Sequence, residues 1–115
     1  MKKTESYNVQ IWCGLRVQYW ETKLHTLDDA REIIDQFIEE VNGDCVTITP
    51  TEYRYRDGSE PGFMVGWINY PRFPRDGEEI ERRALILAEM LMDGLEQNRV
   101  SIVTPSKTIM LSTDD

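Results

Sequence analysis

A chain of 115 residues, 40% hydrophobic and 10% aromatic, is the size of one domain and can fill one core, which excludes a disordered chain despite a net charge of −8. No apolar run approaches the ~20 residues of a membrane-spanning helix, the start Met1-Lys2-Lys3-Thr4-Glu5-Ser6 leads into no signal-like stretch, and two cysteines are too few for a disulfide framework. These features predict a single domain over residues 1–115, cytoplasmic, with reduced thiols.

The first element runs from Asn8 to Trp20, where residues alternate with the period of a strand. Val9, Ile11, Cys13, Leu15, Val17 and Tyr19 make a core stripe, in which Cys13 reads as a buried thiol. The opposite face carries Trp12, Arg16 and Trp20, large side chains that one core does not need. A helix follows from Thr26, where Thr26 and Asp29 form a capping box. Its stripe is Leu27, Ala30, Ile33, Ile34, Phe37, Ile38 and Val41, and Asn42-Gly43 stops it.

Cys45 to Arg56 reads as the second strand. Pro50 marks an edge or a bulge, and the apolar phase shifts after it, from Val46 and Ile48 to Tyr53 and Tyr55. Asp57-Gly58 turns the chain into a third strand from about Gly62 to Tyr70. That strand is apolar on both faces, with Phe63, Val65 and Trp67 on one and Met64, Ile68 and Tyr70 on the other. Pro71 to Arg75 makes a stiff connection. Asp76 with Glu79 predicts a second capping box, and Ile80, Ala84, Leu87, Ala88, Leu91 and Leu95 are the inward stripe of a second helix. Glu78–Arg82 and Glu79–Arg83 are its expected i,i+4 pairs. Val100–Val103 is a short fourth strand, and Thr108–Leu111 returns as a fifth.

The order β-α-β-β-α-β with a C-terminal hairpin predicts an α+β, ferredoxin-like two-layer sandwich. Right-handed crossovers place both helices on one face of an antiparallel sheet. The other face is then bare, and Trp12, Arg16, Trp20 and Trp67 are its expected self-association residues. The predicted partner is therefore a second copy of the chain.

Catalytic signals are absent. His25, the single histidine, reads as a solvent-exposed loop imidazole, and no residue spacing suits a metal, so neither a cofactor nor a metal is expected. A small isomerase of tautomerase type would share the architecture, yet Lys2 stands where its proline nucleophile would be. The element order also suits an RRM-type RNA binder, but Pro61 and Val65 occupy positions where that family needs a basic and an aromatic residue. Direct nucleic-acid binding is not expected from so acidic a chain.

Arg54, Arg56, Arg72 and Arg75, with Tyr70 and Phe73 for stacking, form the expected ligand site. Those residue types suit an anionic, nucleotide-like small molecule held without catalysis. In a phage-encoded protein this would be a sponge for a host immune signal. A competing reading uses the helices, which hold twelve of the 21 acids and three of the 13 bases. Such a surface could imitate DNA and block a nucleic-acid-binding host protein.

Overall fold

Val9, Ile11 and Cys13 alternate with Gln10, Trp12 and Gly14 along β1 (Val9–Gly14), and that alternation divides the molecule into a helix-covered and an uncovered side. The computed structural model describes residues 1–17 and 22–113. α1 (Leu27–Glu40) and β2 (Thr47–Tyr55) come next, then β3 (Gly58–Trp67), α2 (Gly77–Gly94), β4 (Arg99–Val103) and β5 (Thr108–Ser112). The strands pair in the order β2-β3-β1-β4-β5, antiparallel throughout, with both helices on one face. This is the expected α+β sandwich.

The helix-facing side is a continuous core. Val9, Ile11 and Cys13 of β1 register against Trp67, Val65 and Phe63 of β3 and are flanked by Val100 and Ile102 of β4. Ala30, Ile34 and Phe37 from α1 and Ile80, Ala84, Leu87, Ala88 and Leu91 from α2 close over them. Leu15 and Val17 stay buried beyond the strand, so the stripe persists where the ladder stops. Past Gly14 the chain leaves the sheet: Val17 N–H donates to Lys23 O and His25 N–H to Leu15 O, a small arm of its own. Tyr19 and Trp20 lie outside the described residues.

Helix ends follow local chemistry. Thr26 and Asp29 close both halves of the capping box. At the other end Asn42 is left-handed (φ 60°), with Gly43 N–H returning to Ile38 O and Asn42 N–H to Glu39 O, a Schellman stop. The second capping box does not form. Asp76 accepts from Glu78 N–H, but Glu79 is drawn to Arg82 (2.6 Å) and Arg83 (3.0 Å), which hold its carboxyl down at about 2. Arg82 thus pairs at i,i+3 with Glu79 rather than with Glu78.

Pro50 sits on the sheet edge, where no ladder bond needs its missing N–H. The β2–β3 register runs through it without a bulge, so the apolar phase shift has another cause. Ile48 faces the helices, whereas Tyr53 and Tyr55 face the uncovered side. On the helix side of the same stretch Glu52 and Arg54 are exposed, because the helices do not reach the hairpin end.

Candidate ligand site on the uncovered sheet face

The expected arginine cluster does not converge. Arg54 pairs with Glu52 at 2.7 Å beside Ser59, and Arg56 is exposed at the hairpin turn. Arg72 and Arg75 lie past the opposite end of β3, some eight strand residues from Ser59, or about 26 Å at ~3.3 Å per residue. Around Arg75 the chain is knotted rather than hollow. The Asp44 side chain is 2% exposed and takes Arg75 at 2.8 Å, Arg83 at 3.5 Å and the Trp67 indole N–H at 3.2 Å. Phe73 stacks on Tyr70 with ring centroids 5.3 Å apart, and the remaining recess is about 10 Å³, the room of one water. Tyr70 also meets the Cys45 thiol at 3.6 Å, a contact that raises its phenol above the usual range. Of the six expected ligand residues, this loop brings together Tyr70, Phe73 and Arg75, and it spends Arg75 on Asp44.

Trp67 was expected on the uncovered face. It is instead 2% exposed in the core, edge-on to Phe37 at 6.2 Å. Its register partner Val9 fixes that parity, so Met64, not Trp67, accompanies Trp12. Trp12 is half-buried on the uncovered side. Arg16 leans onto the hairpin, donating to Ser59 O (3.0 Å) and Tyr55 Oη (3.4 Å) and lying 3.6 Å from the Glu60 carboxylate.

A different set of residues makes a depression beside Trp12. Trp12, Gly14, Tyr53, Glu60, Gln97, Arg99 and Ser101 line a hollow of about 210 Å³. Gly14 is part of its floor. Gly14 and Gly62 are register partners whose missing side chains both point to this face. A Cβ on Gly62 would strike the Tyr53 ring and stand 2.6 Å from the Cys13 carbonyl oxygen. Gly62→Ala is therefore expected to lower stability by about 1–3 kcal/mol through overpacking, read as a fall in melting temperature. Burial pushes the Tyr53 phenol up to about 12, so it is a hydroxyl donor at neutral pH.

Two oxygens converge above Gly14. A Cβ there would be 3.0 Å from Gln97 Oε1 and 3.2 Å from Glu60 Oε1. The amide orientation of Gln97 is fixed by its partners: Nε2 donates to Arg16 O (2.7 Å) and Leu95 O (3.0 Å), both of which can only accept. Oε1 is thereby turned to the hollow. Two acceptors, one of them a carboxylate, form a seat beside the rings of Trp12 and Tyr53, and Arg99 is on the same lining.

Tyr53, Glu60, Gln97 and Arg99 were not legible as a site. The available signal was the pair of glycines on the Trp12 face, which clears floor space between aromatic side chains. The expected loop imidazole is also placed differently: His25 is 20% exposed and wedged between Asp29 and Glu96. Cys13 is a free buried thiol, pushed by burial up to about 12.

No family model and no curated protein matches the chain. Solved structures do. A phage SAM lyase in its apo state superposes with a TM-score of 0.77 at 14% identity, covering 100% of this chain and 97% of that one. The phage SAM lyase in complex with S-methyl-5'-thioadenosine gives a TM-score of 0.75 at 13% identity, covering 99% and 95%. At such identities the likeness establishes a shared fold along the whole length of both chains.

Proposed function

We propose that this chain binds S-adenosylmethionine on the uncovered sheet face and cleaves it to methylthioadenosine, as a phage-type lyase acting on the host's pool of that compound. The carrying observation is the seat over Gly14, where Glu60 Oε1 and Gln97 Oε1 meet beside Trp12 and Tyr53. S-adenosylmethionine has what that seat asks for: a sulfonium centre joined to an adenosyl group with a large stacking face. Support also comes from the full-length likeness to phage SAM lyase, one structure of which holds methylthioadenosine.

The chemistry asks little of the protein. The substrate's own carboxylate oxygen can attack the carbon next to sulfur: the carbon–oxygen bond closes a lactone as the carbon–sulfur bond breaks, and its electron pair stays on sulfur, which departs as the neutral thioether methylthioadenosine. Glu60 and Gln97 would hold the sulfonium in place, and the rings would keep water off it. The anionic, phosphate-bearing ligand suggested by the arginines gives way to a nucleoside-like ligand with a positive sulfur. Self-association belongs to the same proposal: 210 Å³ is below the ~300 Å³ at which small-molecule sites begin, so a second copy laid on the bare face would supply the missing wall.

Incubation with S-adenosylmethionine, with products followed by mass spectrometry, tests this reading. Methylthioadenosine should accumulate, and each ligand should raise the melting temperature by mass action. Trp12→Ala should remove both effects. Stoichiometric binding without product would leave a sequestering protein in place of a lyase. No thermal shift and no product would sink the proposal, and native mass spectrometry of the same sample reads the subunit number.

A further inference from the structure

The turn that carries Gln97 is built against its own backbone preference. α2 ends in a Schellman motif, with Gln97 N–H returning to Met92 O (2.9 Å) and Glu96 N–H to Asp93 O (3.3 Å). The residue just past the cap must be left-handed, a place where glycine is usual, and here it is Glu96 at φ 55°. A strained non-glycine position calls for a gain elsewhere. Its carboxylate supplies one: Glu96 Oε2 lies 2.8 Å from His25 Nε2 and 3.4 Å from Lys23 Nζ.

We propose that the His25 imidazolium is a pH-sensitive strut that fixes this turn and so holds Gln97 Oε1 aimed at the hollow. His25 is gripped from two elements, by Asp29 of α1 through Nδ1 (3.0 Å) and by Glu96 through Nε2. When protonated, both ring nitrogens donate. When neutral, one nitrogen turns a lone pair toward a carboxylate and that contact is lost. The other charges facing it are Lys23, which shares Glu96, and the positive N-terminal end of α1, capped by Thr26 one residue later. The two carboxylates, Glu96 first, outweigh the opposing cost of burying the ring and raise the imidazole above its ordinary value of 6.5. The sign follows. The strut is complete below about pH 6.5 and is lost as pH rises through the raised value.

The same segment reaches the site directly. Gln97 Nε2 holds Arg16 O, in the arm that His25 closes through its N–H to Leu15 O. Loosening Glu96 therefore frees Gln97 from both sides. His25 and Glu96 are positioning residues, since neither lines the hollow.

The strut is tested without ligand; its link to affinity rests on the proposed function. In ligand-free protein the Gln97 side-chain amide signals should shift between pH 5.5 and 8.5 with the midpoint of His25, and should be flat in His25→Gln. Glu96→Gly is the second variant: glycine suits the left-handed backbone, so the fold is kept while the strut is cut. Gln97 signals that ignore the His25 titration, or that still follow pH in Glu96→Gly, would overturn the proposal. With S-adenosylmethionine as probe, whose sulfonium Gln97 would hold, affinity should fall about threefold more over the same range in the wild-type chain than in either variant. A Gln97 that follows His25 beside a probe that binds at no pH would uphold the strut and refute the ligand reading.

Discussion

Glu60→Gln should weaken S-adenosylmethionine at least tenfold while leaving methylthioadenosine within about twofold. The two ligands share the adenosyl group and differ in the sulfur's positive charge and the amino-acid tail. Glu60 is the one carboxylate among the described residues lining the hollow, and the swap to glutamine keeps its shape. Opposite charges 4 Å apart interact by about 4 kcal/mol at an effective dielectric constant of 20. The Glu60 side chain is 25% exposed, and Arg16 lies 3.6 Å from it, so about a third of that figure is a fair expectation. That is ~1.4 kcal/mol, or tenfold. S-adenosylhomocysteine, with the tail but no sulfonium, separates the two contributions: it should behave like methylthioadenosine if the sulfur charge is what Glu60 holds. Titration calorimetry in which all three ligands bind the variant as they bind the wild type would remove Glu60 from the site.

The fold was legible because its signals are local and repeated. Thr26 with Asp29, Asn42-Gly43 and the two apolar helix stripes each act within one turn, and the structure reproduces them. The face of β3 was not legible, because Met64 and Trp67 are both large and apolar and periodicity cannot choose between them. Pairing with Val9, 58 positions earlier, decides it. The site was hidden for a related reason. Gly14, Tyr53, Glu60 and Gln97 come from four separate stretches, and Gln97 matters only because two carbonyls turn its amide. The arginines show a further limit: charge type is visible in a sequence while prior engagement is not. Arg75 is a good phosphate ligand in isolation and already committed to Asp44 here.

That commitment predicts the largest loss of stability. Asp44→Ala should cost about 3 kcal/mol and lower the melting temperature by roughly 10 °C or more. The Asp44 carboxylate is 2% exposed and has four donors within reach: Arg75, Arg83, the Trp67 indole and the backbone N–H of Cys45 at 2.8 Å. Without it the indole N–H is left buried and unpaired and Arg75 loses its carboxylate, while Arg83 keeps Glu79 at 3.0 Å and the Gly43 carbonyl. Both guanidiniums are partly exposed, at 27% and 14%, which keeps the cost at the low end for a broken buried pair. Asp44→Asn should lose less, since its remaining oxygen still accepts from the indole or from Arg75. Arg72, exposed on the same loop, serves as the control: Arg72→Ala should change stability by less than about 0.5 kcal/mol and leave ligand binding intact. An Arg72→Ala protein that melts normally but no longer binds would return the ligand site to this loop, and a mild Asp44→Ala would mean that the loop's arginines are free to serve it.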